Sequence, residues 1–367
     1  MGNERVDRYR ARRHDLQQLF AAPAKPDPEA AWETPPAAVK ALPPKPLPAR
    51  SPVQTAAFAG TRGLWPFDAA EAARRQEAAG NHRRTINLGG GIEMELVLIP
   101  AGEFVMGDVQ GDDDEKPLAA VKIARPFWMG KFEVTNRQYA QFDASHDSRF
   151  QDKGSWMFNE WDLGWALNEP TQPVIRVSQK EALAFCQWLS RRTGERVTLP
   201  TEAQWEYSCR GGTATPLSYG GLDADFSRHA NLADWTIRNL VYDVRDQYPP
   251  DLAPRDARFN DGKLVTAGVG GYQPNAWGLH DMHGNVWEWT RSAYRPYPYS
   301  ELDGRNQPGA DEAVVVRGGS WYDRPKRSRS AFRLSYPAWQ KVFNVGLRVV
   351  IETGEDIRVA AAGAARK

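Results

Sequence analysis

The second half of the chain sets the tightest limit on its fold. From about Gly212 to Ile351 long periodic apolar runs are few, while Gly, Pro, Asn and Trp recur throughout. Connections of that length persist in a compact domain only where something other than a strand ladder fixes them, such as metal ions, aromatic plugs or buried hydrogen bonds. The chain carries 14 Trp and 31 Gly, a composition suited to irregular loops pinned by aromatic side chains. The fold class expected is therefore a loop-rich α+β domain. With 367 residues, 41% of them hydrophobic, there is enough apolar material for a sizeable core.

Charge and cysteine usage remove several function classes. The 47 Lys and Arg nearly balance the 46 Asp and Glu, so no overall field draws the chain to nucleic acid or to an anionic membrane. No stretch has the apolar length of a membrane helix, and the basic start from Arg5 to Arg13 is followed by no apolar signal core. The cytoplasm is the simplest compartment. Cys186 and Cys209 are the only cysteines, which leaves no disulfide framework and no four-cysteine zinc site.

Along the chain, residues 1–20 read as a basic helix (Arg5 to Phe20) able to dock another protein, and 21–66 as a linker rich in Pro and Ala. Residues 67–91 read as a spacer helix capped by Asp68 and ended by Gly80, with a lead-in. A domain over 92–351 opens with strands Glu93–Ile99 and Glu103–Gly107 around a Pro100-Ala101-Gly102 turn, then a strand Phe127–Val134. Residues 352–367 form a tail. Thr135 with Gln138, Ser178 with Glu181 and Thr201 with Gln204 are three capping boxes. They predict helices over Asn136–Phe142, from Ser178 with Ala182, Phe185, Cys186 and Leu189 on one face, and from Thr201 to Gly211 with Trp205 and Cys209 together. Both cysteines then read as packing.

Six segments in order carry a resemblance. They are Ile99-Pro100-Ala101-Gly102-Glu103-Phe104-Val105-Met106-Gly107, Glu133-Val134-Thr135-Asn136, Leu199-Pro200-Thr201-Glu202-Ala203-Gln204-Trp205-Glu206-Tyr207, Gly278-Leu279-His280-Asp281-Met282-His283-Gly284-Asn285-Val286-Trp287-Glu288-Trp289, Arg317-Gly318-Gly319-Ser320-Trp321 and Asn344-Val345-Gly346-Leu347-Arg348. Together they resemble the formylglycine-generating enzyme, or sulfatase-modifying-factor, family over about 92–351. The resemblance implies an irregular α+β fold related to C-type lectins. It also implies two structural calcium sites, in keeping with the preference of calcium for six to eight oxygens. The first maps to the Asp281 and Glu288 side chains with the Gly284 and Val286 carbonyls. The second maps to the Asn231 and Asp261 side chains with the Leu232 and Lys263 carbonyls.

The family's oxidation of a substrate cysteine uses Cu(I) held by two thiolates, and soft copper is poorly served by hard oxygens. Counted from Arg317-Gly318-Gly319-Ser320, the two positions hold Asp323 and Ser328, and no cysteine follows Cys209. Copper-dependent formylglycine generation is therefore not expected. What the resemblance leaves is a calcium-stabilised domain that binds a peptide or small molecule in the ancestral groove, near Ser320, Trp321, Arg324 and Arg327. The basic run Arg324, Lys326, Arg327, Arg329 reads either as a solvated loop or as a lining for an anionic ligand. The acidic run Asp112-Asp113-Asp114-Glu115 reads as a solvated loop, with a partner-binding patch as the alternative. His280 and His283 beside Asp281 invite a non-haem iron site, so a metal-dependent oxidoreductase is one alternative. The iron-using relatives take much of their site from a helical domain with a histidine motif, which the first 90 residues lack. Ser320, His283 and Asp323 could be assembled into a triad on paper. A further alternative is a lectin-type variable binding protein of a diversity-generating retroelement.

Overall fold

The computed structural model describes residues 64–151, 165–240, 255–309 and 312–353. The basic N-terminal helix, most of the Pro/Ala-rich linker and most of the C-terminal tail lie outside them. The chain enters through Trp65 and α1 (Ala69–Ala78), whose N-cap is Asp68, accepting from Glu71 N. It continues into β1 (Arg83–Gly89), β2 (Ile92–Ile99), β3 (Gly102–Met106), β4 (Ala119–Ile123) and β5 (Phe127–Gly130). Then come α2 (Asn136–Tyr139), β6 (Phe150–Gln151), β7 (Trp165–Ala166), α3 (Gln179–Thr193), β8 (Val197–Thr198) and α4 (Glu202–Arg210). Later in the chain, β9 (Trp287–Ala293), β10 (Ala313–Arg317), β11 (Leu334–Pro337), β12 (Val345–Leu347) and β13 (Val350–Glu352) complete the described strands.

Two main sheets form. One has the order β1-β2-β5-β13-β8, the other β11-β10-β9-β12, in which β9 and β12 run parallel. Strand alternation divides the first sheet between two cores. Met94, Leu96, Val349 and Ile351 join the core under α3 with Phe185, Cys186, Leu189, Trp287 and Trp289. Val97, Ile99 and Val350 join the other, with Trp205, Tyr207, Cys209 and Trp277. Both cysteines are buried, as helical spacing predicts. No helix among the described residues is long and apolar enough to cross a membrane.

All three capping boxes form at Thr135, Ser178 and Thr201. The expected helix Asn136–Phe142 is shorter, because Phe142 N bonds back to Tyr139 O three residues earlier and tightens the turn. The expected strand Phe127–Val134 ends at Gly130, after which the backbone leaves the sheet and carries Glu133 into the interior. The lead-in before residue 92 is joined to the domain: β1 is hydrogen-bonded to β2, and Gln76 Nε2 donates to Leu98 O and Trp277 O, each at 3.0 Å.

Candidate functional site

Between α4 and β9 the described chain has no strand beyond an isolated Leu217–Gly220 bridge, so polar side chains must fix it. The Gly278–Glu288 segment turns inward through left-handed residues at Asp281 (φ 59°), Gly284 (φ 87°) and Asn285 (φ 55°). A β-carbon on Gly284 would run into Asn231 O, so no other residue fits there. The turn buries Asp281 beside Glu288, Glu133 and Arg348. Asp281 Oδ2 accepts from Gly270 N at 2.7 Å, while Oδ1 is buried with no hydrogen-bond partner. Both Glu288 oxygens are engaged, Oε1 by Arg348 Nη2 at 2.7 Å and Oε2 by Trp205 Nε1 at 2.7 Å. Glu133, which sequence reading passed over as a site residue, accepts from Asn285 Nδ2 at 2.6 Å and Val286 N at 3.2 Å.

This cluster holds three carboxylates and one guanidinium. Burial, then the charges of Asp281 and Glu288, push the Glu133 carboxyl well above its usual range. Burial likewise raises Asp281, to about 6. An excess of buried negative charge is costly unless protonated or met by a cation.

The second predicted set is also brought together. Asp261 Oδ2 accepts from Leu232 N at 2.8 Å, and its Oδ1 from Lys263 N at 2.9 Å. Asn231 gives its amide hydrogens to Val265 O and Asn285 Oδ1, which fixes the amide orientation and leaves Oδ1 as a buried acceptor without a partner. Asp234 is an added carboxylate, accepting from Asp261 N at 2.7 Å and Thr236 Oγ at 2.6 Å. Burial, then the Asp234 charge, hold Asp261 well above the ordinary aspartate range. In each cluster, then, buried carboxylates accompany one orphaned side-chain oxygen, a donor set suited to a hard cation such as calcium.

Asp323 and Ser328, where the resemblance places the family's thiolates, are both buried. Asp323 Oδ2 accepts from Ser320 Oγ at 2.6 Å and Trp287 Nε1 at 2.8 Å, and Oδ1 meets Arg327 Nη1 at 2.9 Å. Ser320 Oγ in turn accepts from Asn344 Nδ2 at 2.9 Å. Trp287 and Asn344 stand in motifs the sequence displays, but nothing in their spacing shows that they meet Asp323 and Ser320. Burial raises the Asp323 carboxyl. Ser328 Oγ is a buried group without a partner, and it fills the space where a β-carbon on Gly319 would lie. Residues 321–327 alternate: Trp321, Asp323 and Pro325 point in, whereas Tyr322, Arg324, Lys326 and Arg327 are exposed. Trp321, Tyr322 and Phe343 form an edge-to-face trio with centroids 5.3 to 6.1 Å apart.

Four readings are corrected. His283 does not join Ser320 and Asp323: its Nδ1 bonds to Ser328 O at 2.7 Å and its Nε2 accepts from Ser218 N at 3.0 Å. With both nitrogens committed, it also has no lone pair for iron, and His280 Nδ1 is engaged by Tyr272 O at 2.7 Å. Among the described residues no group of three or more His, Cys, Asp or Glu side chains is arranged to hold a metal ion. The acidic run is not a solvated loop throughout, nor is the basic run. Glu115 and Arg329 are buried against each other at 2.6 Å, with Asp108 3.1 Å from Arg329, and Asp114 O accepts from Arg333.

The profile of the sulfatase-modifying factor enzyme 1-like domain matches residues 91–353. The chain is 30% identical over 295 residues to a formylglycine-generating enzyme of Streptomyces coelicolor, covering 69% of this chain and 87% of that one. A Bos taurus protein named inactive C-alpha-formylglycine-generating enzyme 2 is 26% identical, covering 65% of this chain and 80% of its own length. Among solved structures, PvdO from Pseudomonas aeruginosa is similar with a TM-score of 0.55 and 27% identity, covering 74% of this chain and 98% of that one. The six ordered motifs, the α+β fold they build and these matches place the chain in the sulfatase-modifying-factor (formylglycine-generating enzyme) family.

Proposed function

We propose that this domain is a calcium-stabilised binding member of its family, which takes a peptide or small-molecule ligand over Asp323 and Ser328 and does not generate formylglycine by the copper route. The observation that carries this reading is Asp323 itself. A hard carboxylate, already shared by Ser320, Trp287 and Arg327, stands where a soft thiolate is needed. Cys209 offers no substitute, because its Sγ is buried against Met282 O and His283. The existence of a relative named inactive agrees with such a loss. Exposed Arg324, near Arg327 held at Asp323, favours a ligand bearing negative charge. Calcium would be held by Asp281 and Glu288 with the Gly284 and Val286 carbonyls, and by Asn231 and Asp261 with the Leu232 and Lys263 carbonyls. The ion would supply positive charge to two buried acidic clusters and clamp loops that lack a ladder.

The test is elemental analysis of protein purified without chelator, followed by oxygen uptake with thiol peptides. Calcium without copper or iron, and no uptake, is expected. Stoichiometric copper or iron with thiol-dependent uptake would sink the reading.

A further inference from the structure

Residues 64–90 precede the family-matched stretch and build one wall of a second cleft, of about 540 Å³, which neither Asp323 nor Ser328 lines. Its floor follows from strand register. Arg83 lies opposite Val97 and Thr85 opposite Glu95, so these four side chains share one face of the β1–β2 pair. Lys131 extends that face, its Nζ donating to Glu95 Oε2 at 2.9 Å. The facing wall is the Pro274–His280 loop, held by the Gln76 bond to Trp277 O at 3.0 Å. Charges in the cleft are unevenly matched. Arg84 is met by Glu195 at 2.8 Å and Lys131 by Glu95, whereas Arg83 is exposed and has no ion pair among the described residues. His280 also lines the cleft, its Nδ1–H donating to Tyr272 O at 2.7 Å.

We propose that this cleft binds a small organic oxyanion, a carboxylate or a phosphate. The anionic group sits on Arg83, with Lys131 as a further donor, and an apolar body lies along the Pro274–Trp277 wall. A guanidinium recognises either oxyanion through paired N–H donors, and the volume is that of an ordinary small-molecule site. The site belongs to the N-terminal segment as much as to the family domain, so relatives without α1 and β1 should lack it.

The full chain is titrated with phenyl phosphate and with benzoate, with benzamide as the neutral control, by calorimetry and by the imidazole NMR signals. Saturable binding of at least one oxyanion at or below about 1 mM is expected, with benzamide at least tenfold weaker, and the ratio of the two oxyanions assigns the class. Arg83→Gln should weaken binding about tenfold or more without moving the melting temperature, since Arg83 is exposed. Arg83→Lys should recover part of the loss, and Arg327→Gln, at the other surface, should leave the Arg83-dependent binding step unchanged. Equal binding of benzamide, no saturation, or an Arg83→Gln protein that binds like wild type would overturn the proposal. None of these outcomes depends on metal content or oxygen uptake at the Asp323 surface.

Discussion

Three donors share the two oxygens of buried Asp323, and each of them would lose its acceptor differently on substitution. Asp323→Asn keeps the volume but turns an amide N–H₂ toward donors, so urea unfolding should show a loss of about 2 kcal/mol. An unchanged midpoint would mean that Trp287 and Ser320 do not depend on the carboxylate. His283 carries a pH dependence. Burial lowers its pKa from the usual 6.5 to about 4, outweighing the Nδ1–H bond to Ser328 O, which favours the charged form, while Nε2 accepts from Ser218 N–H. As pH falls below about 6.5 the unfolded chain takes up a proton that the folded chain refuses until about 4. Stability should therefore drop across that window, by up to about 3 kcal/mol from this group. The slope should shrink in His283→Gln; an equal slope there would assign the loss to other groups. The sequence displayed Asp323, Ser328 and His283 as residues of interest. It could not show which of them meet, because hydrogen bonds across more than 30 residues depend on how the loops are folded.

Elements with local signals were legible. Ser178 with Glu181 and Thr201 with Gln204 specify helix starts through bonds three residues long, and Gly194 and Gly211 end those helices in the left-handed conformation. β1 escaped notice although Ile86 and Leu88 alternate inward, since a short strand is stable only once β2 supplies its partner. The acidic run departs from its composition for a related reason. Its composition suggests solvent, but Glu115 meets Arg329 from more than 200 residues away. Breaking that buried pair with Glu115→Gln should cost about 3 kcal/mol. Adding Arg329→Met should restore part of it; strictly additive losses in the double variant would show that the two side chains are not coupled.

For the whole molecule, β13 inserts between β5 and β8 and so ties the end of the described chain to its first sheet, while the described residues 211–240 and 255–285 hang on side chains and loop bonds. If calcium fills the two acidic clusters, chelation should lower the melting temperature and speed amide exchange around Asn231, Asp261 and Asp281 more than in β2 or β9. A protein whose melting and exchange ignore chelator would remove calcium from this account. By itself the sequence determined the α+β class, the family, the helix caps and the absence of a thiolate pair, because those rest on local chemistry or on residue identity. Only the tertiary structure decided the partners of Asp323, the committed state of His283, the acid clusters completed by Glu133 and Asp234, and the Arg83 cleft. Each of these depends on long-range juxtaposition, where burial turns ordinary polar residues into groups that must find a partner.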